Sequence, residues 1–347
     1  MVCRTLTPRD QLGRPLGVLR LSLTARCNFA CPYCLPDSQE PPGLLTLEQR
    51  VAVVEAAVAL GVRSLRLTGG EPLLHPQVEE LIGALQPLRA AGLEDIALTT
   101  NGTLLTAERA TALRLAGLDR ITISLDGTTA ASVKTMAGLP HGLAAETALR
   151  AVIQALGHGV AAGFDPGAGD LKLNAVILRG RNDDQILPLA RLARERGLEL
   201  RLIEAMDVGT RNGWCLEDVV PASAMVARIG EQWPLEPLGR QVGATAIRWR
   251  YVDGCGTIAV VASISAPFCG DCNRLRVTAE GMAYTCLFAS EGVDLRPWLQ
   301  PGGDSRALGK ALRAMWLSRS DRYSEERQSP RGSSSPVAAK EMAYLGG

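Results

Sequence analysis

Six of the nine cysteines lie in two groups, and the spacing within each group indicates metal chemistry. The first group is Cys27, Cys31 and Cys34, arranged C-x3-C-x2-C in the segment CNFACPYC. Three thiolates so close together can ligate three irons of a 4Fe-4S cluster and leave the fourth iron open to a small molecule. The alternative is a zinc knuckle or a chance cluster of cysteines.

The second group is Cys269 and Cys272, a C-x2-C pair, with Cys286 further along. Spacing alone leaves two interpretations open, a second 4Fe-4S cluster or a four-cysteine zinc site completed by Cys255. Arg274 and Arg276 follow the pair with alternating spacing, so both side chains should project from one face of a strand beside the site. The isolated cysteines Cys3 and Cys215 suggest no role.

Six apolar segments in the first part of the chain have the length and composition of strands. They are VLRLSL from Val18, SLRLT from Ser64, DIALT from Asp95, RITISL from Arg120, LKLNAVI from Leu171 and LELRLIEA from Leu198. Helical patterns separate them, over residues 46–61, 77–91, 106–116, 144–156 and 183–196, the first with Thr46 as cap and Gly61 as stop. This alternation predicts an α/β fold in which six units curl into an open barrel, with function at the C-terminal strand ends.

The alternation stops after Met206, and a different composition follows. The segments AIRWRYV, TIAVVAS and LRVTAEGMAYTCLF resemble short antiparallel strands, with a helix predicted over 304–318. We therefore predict a barrel domain over 1–206, a smaller antiparallel β plus helix domain over 207–320, and a flexible tail over 321–347 that ends in Gly-Gly.

Bulk composition excludes little beyond two classes of protein. The net charge of +1 provides no overall field for nucleic acid or an anionic membrane, and no apolar run is long enough to span a bilayer. The N-terminus lacks an apolar signal core, so we expect a cytoplasmic protein without nucleic-acid or membrane partners.

The first cysteine group and the segments around it resemble the radical S-adenosylmethionine superfamily, whose incomplete (β/α)6 barrel agrees with the six predicted strands. In that superfamily the open iron binds S-adenosylmethionine and supplies the electron that breaks its carbon–sulfur bond. The resemblance assigns cofactor contacts to Tyr33, to Gly70 in the turn TGGEP, and to the strand-end residues Ser124, Asn174 and Met206.

The second cysteine group, with CNR-x-R, resembles the GTP 3',8-cyclase family of molybdenum cofactor biosynthesis. Further similar segments are LGRPLGVLRLSLTARCNFACPYC, RLTGGEPLL, LTTNG, RLIEAMDVG, DRYSEER and the terminal Gly-Gly. The resemblance favours a second 4Fe-4S cluster. It implies GTP contacts at Arg20, Arg66, Thr99, Lys172, Arg274 and Arg276, with Arg201 as a further cation at a strand end. It also implies a tail that inserts Gly346 and Gly347 into the active site, so Arg274, Arg276 and both glycines are the expected catalytic set.

The resemblance implies a lyase reaction. A 5'-deoxyadenosyl radical removes the ribose 3' hydrogen of GTP, and the resulting carbon radical closes onto guanine C8 to give 3',8-cyclo-7,8-dihydroguanosine 5'-triphosphate. An electron donor and a downstream cyclic pyranopterin synthase are expected partners, and the chain is expected to be a monomer or homodimer. Two alternatives are a two-cluster radical maturase of a peptide or enzyme, and a non-catalytic zinc or iron–sulfur nucleic-acid module.

Overall fold

The computed structural model describes residues 7–139, 143–300, 305–327 and 340–346. Its strands form one mixed sheet in the order β12-β11-β10-β1-β2-β3-β4-β5-β6-β9-β8-β7. The strands are β1 (Val18–Ser22), β2 (Ser64–Thr68), β3 (Asp95–Thr100), β4 (Arg120–Ser124), β5 (Leu171–Ile177), β6 (Glu199–Glu204), β7 (Leu235–Gly239), β8 (Ile247–Tyr251), β9 (Thr257–Val261), β10 (Arg274–Val277), β11 (Met282–Tyr284) and β12 (Val293–Asp294). All six strands predicted in the first part of the chain are confirmed as β1 to β6.

Helices connect the parallel strands, as the α/β prediction requires. They are α1 (Leu47–Ala59), α2 (Val78–Ala84), α3 (Ala107–Ala116), α4 (Ala130–Ala137), α5 (Ala145–Ala161), α6 (Ile186–Glu195), α7 (Ala222–Gly230), α8 (Ser305–Leu317), α9 (Tyr323–Glu326) and α10 (Met342–Leu345). In the described ranges, no helix is both long and apolar enough to cross a membrane.

Local sequence explains where two of these helices begin and end. The Thr46 hydroxyl accepts from the Gln49 N–H, and the Gln49 side chain accepts from the Thr46 N–H, so α1 starts with a capping box as predicted. The predicted helix over 77–91 is wrong beyond Ala84, where α2 ends and a short 3-10 helix follows. Pro87 accounts for the break because it lacks an N–H and its ring clashes with the carbonyl four residues earlier.

Strands β1 to β6 alternate apolar side chains on one face with polar ones on the other. Leu19, Leu21, Leu65 and Leu67 are fully buried in the main hydrophobic core. The residues between them are polar, and inward-facing positions of β2 to β6 line one shared cavity. The sheet therefore wraps around a polar interior, while its apolar outer face packs under the helices.

The second part of the chain extends the same sheet at both edges. The β8–β9 and β10–β11 pairs are antiparallel as predicted, but β9 also pairs parallel with β6, and β10 parallel with β1. The parallel pairings of β9 and β10 are additional to that prediction. These two strands lengthen the parallel arc to eight strands, and the sheet remains open. The domain boundaries at 206 and 320 stay predictions.

Glu204 joins the end of β6 to two later segments. Its side chain is fully buried, and one carboxylate oxygen accepts from the N–H of Ala222 at the start of α7 (2.7 Å). The other oxygen accepts from the N–H groups of Ile264 (2.7 Å) and Ser265 (2.9 Å), just after β9. One fully buried carboxylate therefore accepts from three backbone donors, of which that of Ala222 is itself buried.

We predict that Glu204→Gln lowers the free energy of unfolding by about 3 kcal/mol, because an amide NH2 group would face N–H donors. Anaerobic chemical denaturation followed by circular dichroism measures the change. Glu236→Gln is the matched control, since Glu236 is exposed on β7, and should shift stability by no more than about 0.5 kcal/mol. Equal shifts in the two variants would contradict the role given to Glu204.

Candidate active site

The first cysteine group lies in the loop that follows β1, at the C-terminal ends of the parallel strands. Cys27, Cys31 and Cys34 are all partly buried and line one cavity of about 150 Å³. The loop folds tightly because the Cys34 N–H donates to the Cys31 carbonyl (2.9 Å). The structure therefore brings the three thiols to one cavity wall.

The five residues expected to contact S-adenosylmethionine line the same cavity. They come from separate elements and are Tyr33, Gly70, Ser124, Asn174 and Met206. Thr99, an expected GTP contact, lies on the wall with them. The buried Oδ1 atom of Asn174 has no hydrogen-bond partner in the protein, so it is a polar acceptor oriented for a ligand.

The TGGEP turn approaches the cysteine loop too closely for a side chain at its second glycine. A Cβ atom on Gly70 would lie 2.1 Å from the Arg26 carbonyl oxygen, and the Gly70 N–H donates to the Thr24 carbonyl (2.9 Å). The next residue, Glu71, is fully buried and accepts from the Thr100 hydroxyl and the Asn101 N–H, both at 2.7 Å. Glu71 thus fixes this turn to the end of β3.

Asp126 is a site residue that sequence reasoning missed, because SLDG resembles an ordinary turn. One carboxylate oxygen accepts from the Tyr33 hydroxyl (2.6 Å), and the other accepts from the Val176 N–H in β5 (2.8 Å). Burial raises its pKa to about 6. The only signal in the sequence is its position two residues after Ser124. Asp126 ties the cysteine loop to the sheet through Tyr33.

The first thiol group fits an iron–sulfur cluster by its donor type and enclosure. Burial raises the pKa of Cys27 to about 11 and that of Cys34 to about 12, so thiolates here need a cationic partner such as bound iron. In the described ranges, no three His, Cys, Asp or Glu side chains are arranged to hold a single metal ion. The fit therefore rests on the three thiols and on the adjacent cavity, which the residues expected to contact S-adenosylmethionine line.

Arginines from three neighbouring strands share one register across the inner face of the sheet. Arg276 pairs with Arg20, and Arg20 pairs with Arg66. Burial and then the neighbouring arginines lower the pKa of Arg20 well below its ordinary value. Burial likewise lowers the pKa of Arg276 to about 10, with Arg274 contributing. These partly or fully buried, mutually repelling cations are a candidate site for a polyanion.

A second group of cations surrounds one carboxylate near the N-terminal ends of β5 and β6. Glu199 accepts from Lys172 Nζ (3.1 Å), Arg201 Nε (2.8 Å) and Arg248 Nε (2.8 Å). Burial opposes ionisation, but the three cations lower its pKa to about 2. Arg201 lies within β6, so the expectation that it ends a strand is wrong. Glu199 and Arg248 were not predicted as site residues, because no motif marks them.

The second cysteine group lies at the opposite end of the strands from the first. Cys272 lies two residues before β10, which runs parallel to β1, and Cys286 lies two residues after β11, which runs antiparallel to β10. Burial raises the pKa of Cys286 to about 11. Burial acts the same way on Cys272, but the charges of Arg274 and Arg319 outweigh it and bring that pKa down to about 7.

Cys255, the fourth ligand of the zinc alternative, is exposed on the turn before β9. Its N–H donates to Asp253, which pairs with Arg194 in α6. Cys269, Cys272 and Cys286 are instead partly buried. This difference in environment favours a site of three thiolates.

The C-terminal segment enters the interior and reaches the arginines. Met342 lines the cavity of the first cysteine group, and the Ser22 hydroxyl donates to the Tyr344 carbonyl (2.8 Å). Arg276 Nη1 donates to the carbonyls of Leu345 (2.8 Å) and Gly346 (2.9 Å). The predicted insertion of the tail thus has contacts as far as Gly346, while Gly347 lies outside the described residues, as does Cys3.

Glu341 holds this segment where it enters the interior. Its carboxylate accepts from the Thr210 N–H (3.0 Å) and pairs with Arg211 (3.2 Å), just after Met206. A Cβ atom on Gly209 would lie 2.0 Å from the Glu341 carboxylate, so the absence of a side chain at Gly209 permits the contact.

Comparison with known proteins matches both parts of the chain. The Radical SAM superfamily model matches residues 21–193, and the Molybdenum Cofactor Synthesis C model matches residues 198–325. Streptococcus suis SuiB bound to S-adenosylmethionine has a TM-score of 0.61 at 13% identity, over 92% of this chain and 69% of that chain. This last likeness supports the fold alone.

Curated relatives are similar along nearly the whole chain. A GTP 3',8-cyclase of Synechococcus sp. (strain CC9605) is 59% identical over 345 residues, covering 97% of this chain and 98% of the relative. A GTP 3',8-cyclase of Xanthomonas campestris pv. campestris (strain B100) is 46% identical over 347 residues, covering 98% of this chain and 97% of the relative. These matches decide against the maturase and nucleic-acid alternatives. The chain therefore belongs to the GTP 3',8-cyclase family, the radical S-adenosylmethionine enzymes of molybdenum cofactor biosynthesis.

Proposed function

We propose that the polar interior of the sheet is the reaction chamber of a GTP 3',8-cyclase, with cofactor bound at one end and GTP at the other. The observation that supports this is the placement of the two cysteine groups. One group follows the C-terminal end of β1, the other precedes the N-terminal end of the parallel strand β10, and the arginines in shared register lie between them. A substrate and a cofactor bound at opposite ends of these strands would approach each other on the inner face of the sheet.

The cofactors of this family are S-adenosylmethionine and 4Fe-4S clusters, and the donor sets fit them. Cys27, Cys31 and Cys34 would hold the first cluster, and Cys269, Cys272 and Cys286 the second. When bound, the first cluster and S-adenosylmethionine supply the radical that abstracts hydrogen. The protein's part is to orient both molecules, through Asn174 and the other cavity residues, and to exclude water from the chamber.

The cations bind and orient the triphosphate. Guanidinium groups make paired charge-assisted hydrogen bonds to phosphate oxygens, while lysine supplies a point charge. Because burial and mutual repulsion disfavour Arg20, Arg66 and Arg276 as cations, a bound polyanion stabilises all three together. Further contacts are proposed for Thr99, Lys172, Arg201 and Arg274.

The remaining partners follow from the chemistry. Reduction of the first cluster needs an external electron donor, and a cyclic pyranopterin synthase would consume the cyclic nucleotide. We propose that the enzyme acts in the cytoplasm, as a monomer or homodimer.

Replacing single cysteines should distinguish the roles of the two proposed cluster sites. Cys27→Ala should abolish S-adenosylmethionine cleavage. Cys272→Ala should retain part of that cleavage but stop GTP cyclisation, with iron falling from about eight to about four per chain. Anaerobic iron and sulfide analysis and product chromatography measure both. Cys255→Ala is the matched control and should keep both activities; loss of the second site in this variant equal to that in Cys272→Ala would support four-cysteine zinc instead.

GTP affinity should depend on pH through Lys172. Burial and then Arg201 lower its pKa to about 8, although Glu199 opposes the shift. Lys172 is therefore charged below pH 8 and loses its charge as the pH rises through that value, so the GTP dissociation constant should rise about tenfold from pH 7 to pH 9. Equilibrium binding measures it. Lys172→Arg keeps its charge and should remove most of this rise, and an equally steep rise in that variant would contradict the assignment.

Deleting Gly346 and Gly347 should leave iron content and S-adenosylmethionine cleavage largely intact while removing most cyclic product. The reason is that Arg276 loses a carbonyl partner and the chamber loses the end of its tail. A synthetic peptide copying the last residues should restore part of the activity, and a scrambled peptide should not. Full cyclisation by the truncated chain would show that the tail is dispensable.

A further inference from the structure

A buried ion network lies behind the second cysteine group, in residues to which the proposed chemistry gives no task. Asp10, Arg14 and Arg319 have side chains that are almost wholly buried. Asp10 Oδ2 accepts from Arg14 Nε (2.5 Å) and from Arg319 Nη1 (3.3 Å), while its other oxygen accepts from the Arg14 N–H (2.9 Å). One carboxylate thus holds two guanidinium groups in fixed positions.

Each guanidinium group also binds the backbone of a cysteine. Arg14 Nη1 donates to the Cys269 carbonyl (2.8 Å), and Arg319 Nη1 donates to the Cys272 carbonyl (2.6 Å). Arg14 Nη1 donates in addition to the Asp321 carbonyl (2.8 Å). The C-x2-C pair is therefore held from behind by two arginines that are far apart in sequence.

The surrounding packing keeps these arginines in place. Trp316, fully buried in α8, donates its indole N–H to the Arg14 carbonyl (3.1 Å), and the Arg319 guanidinium lies 4.7 Å from the Trp316 ring centroid. The Gln11 N–H donates to the Arg319 carbonyl (3.1 Å). The N-terminal segment and the end of α8 thus form one rigid support.

The guanidinium groups of Arg14 and Arg319 bring positive charge to the backbone side of the C-x2-C pair. Two guanidinium groups share the fully buried carboxylate of Asp10, and a second acid, Asp321, is partly exposed and 3.5 Å from Arg319 Nε. Arg14 Nη2 and Arg319 Nε are buried without a hydrogen-bond partner. A thiolate-bound cluster is anionic, so it would complement this charge.

We propose that Asp10, Arg14 and Arg319 are positioning residues for the second cluster, which fix the backbone of Cys269 and Cys272 and raise the cluster's reduction potential. This inference rests on the proposed second cluster. It gives a task to LGRPLG, the segment before the first strand, and to α8, neither of which reaches the chamber.

The first test replaces the planar guanidinium group with an ammonium group and keeps the positive charge. Arg14→Lys and Arg319→Lys should each lower iron from about eight to about four per chain, because an ammonium group cannot make the same set of bonds. S-adenosylmethionine cleavage, which reports the first cluster, should stay within about twofold of the parent chain. Arg313→Lys, on the exposed side of α8, is the matched control and should keep all the iron.

The second test changes charge at nearly constant shape. Asp10→Asn removes a negative charge beside the network, so the midpoint potential of the second cluster should move to more positive values while that of the first stays unchanged. Redox titration followed by electron paramagnetic resonance measures both. If Asp10 had a purely structural role, the Asp10→Asn substitution would not shift the midpoint potential of the second cluster in a defined direction.

The outcomes are distinguishable. A parent chain with only about four irons would contradict the proposed second cluster itself. Parent and lysine variants that hold equal iron, a loss of both clusters together, or an Asp10→Asn potential that is unchanged or more negative would each overturn the positioning role and leave the proposed function standing.

Discussion

The burial of several arginines side by side on the inner face of one sheet is the constraint on which the rest of the structure depends. Arg276, Arg20 and Arg66 occupy one register, and burial and repulsion both disfavour their charges. Buried cations without anions or hydrogen-bond acceptors around them would destabilise the fold. The protein therefore requires either bound anions or its own acceptors inside the sheet.

The chain supplies part of that compensation from distant segments. Tail carbonyls accept from Arg276, and Glu199 neutralises part of the charge of Lys172, Arg201 and Arg248. The outer face is apolar and packed under the helices, so the fold gains its hydrophobic stabilisation there. The inner face can therefore carry polar and charged side chains. Stability and chemistry are thus separated by the two faces of the same strands.

The features that could be predicted from the sequence are those that local patterns determine. The cysteine spacings, the six strands and the cap at Thr46 depend on neighbours in the chain, and so do the strand-end residues that line the cofactor cavity. Partners that meet only through the fold were missed. Asp126 resembles a turn residue until Tyr33 is beside it, and Arg14 has no evident task until Asp10 joins it to Arg319, which follows α8. The parallel pairing of β9 and β10 was missed for the same reason, because a short apolar run does not specify its neighbour.

The connection before β5 shows how the register of the inner face is kept. The residues AAGFDPGAGD precede Lys172 and close on themselves, since the Asp170 N–H donates to the Asp165 carbonyl (2.9 Å). The strand that follows places Lys172 opposite Thr122 and Glu199. A slip of one residue would turn Leu171 and Leu173 inward and bury Lys172 and Asn174 under the helices. Both faces of the sheet would then be destabilised. Because the two faces differ so strongly in polarity, the alternation itself keeps the cations on the inner face, whatever the length of the loop before them.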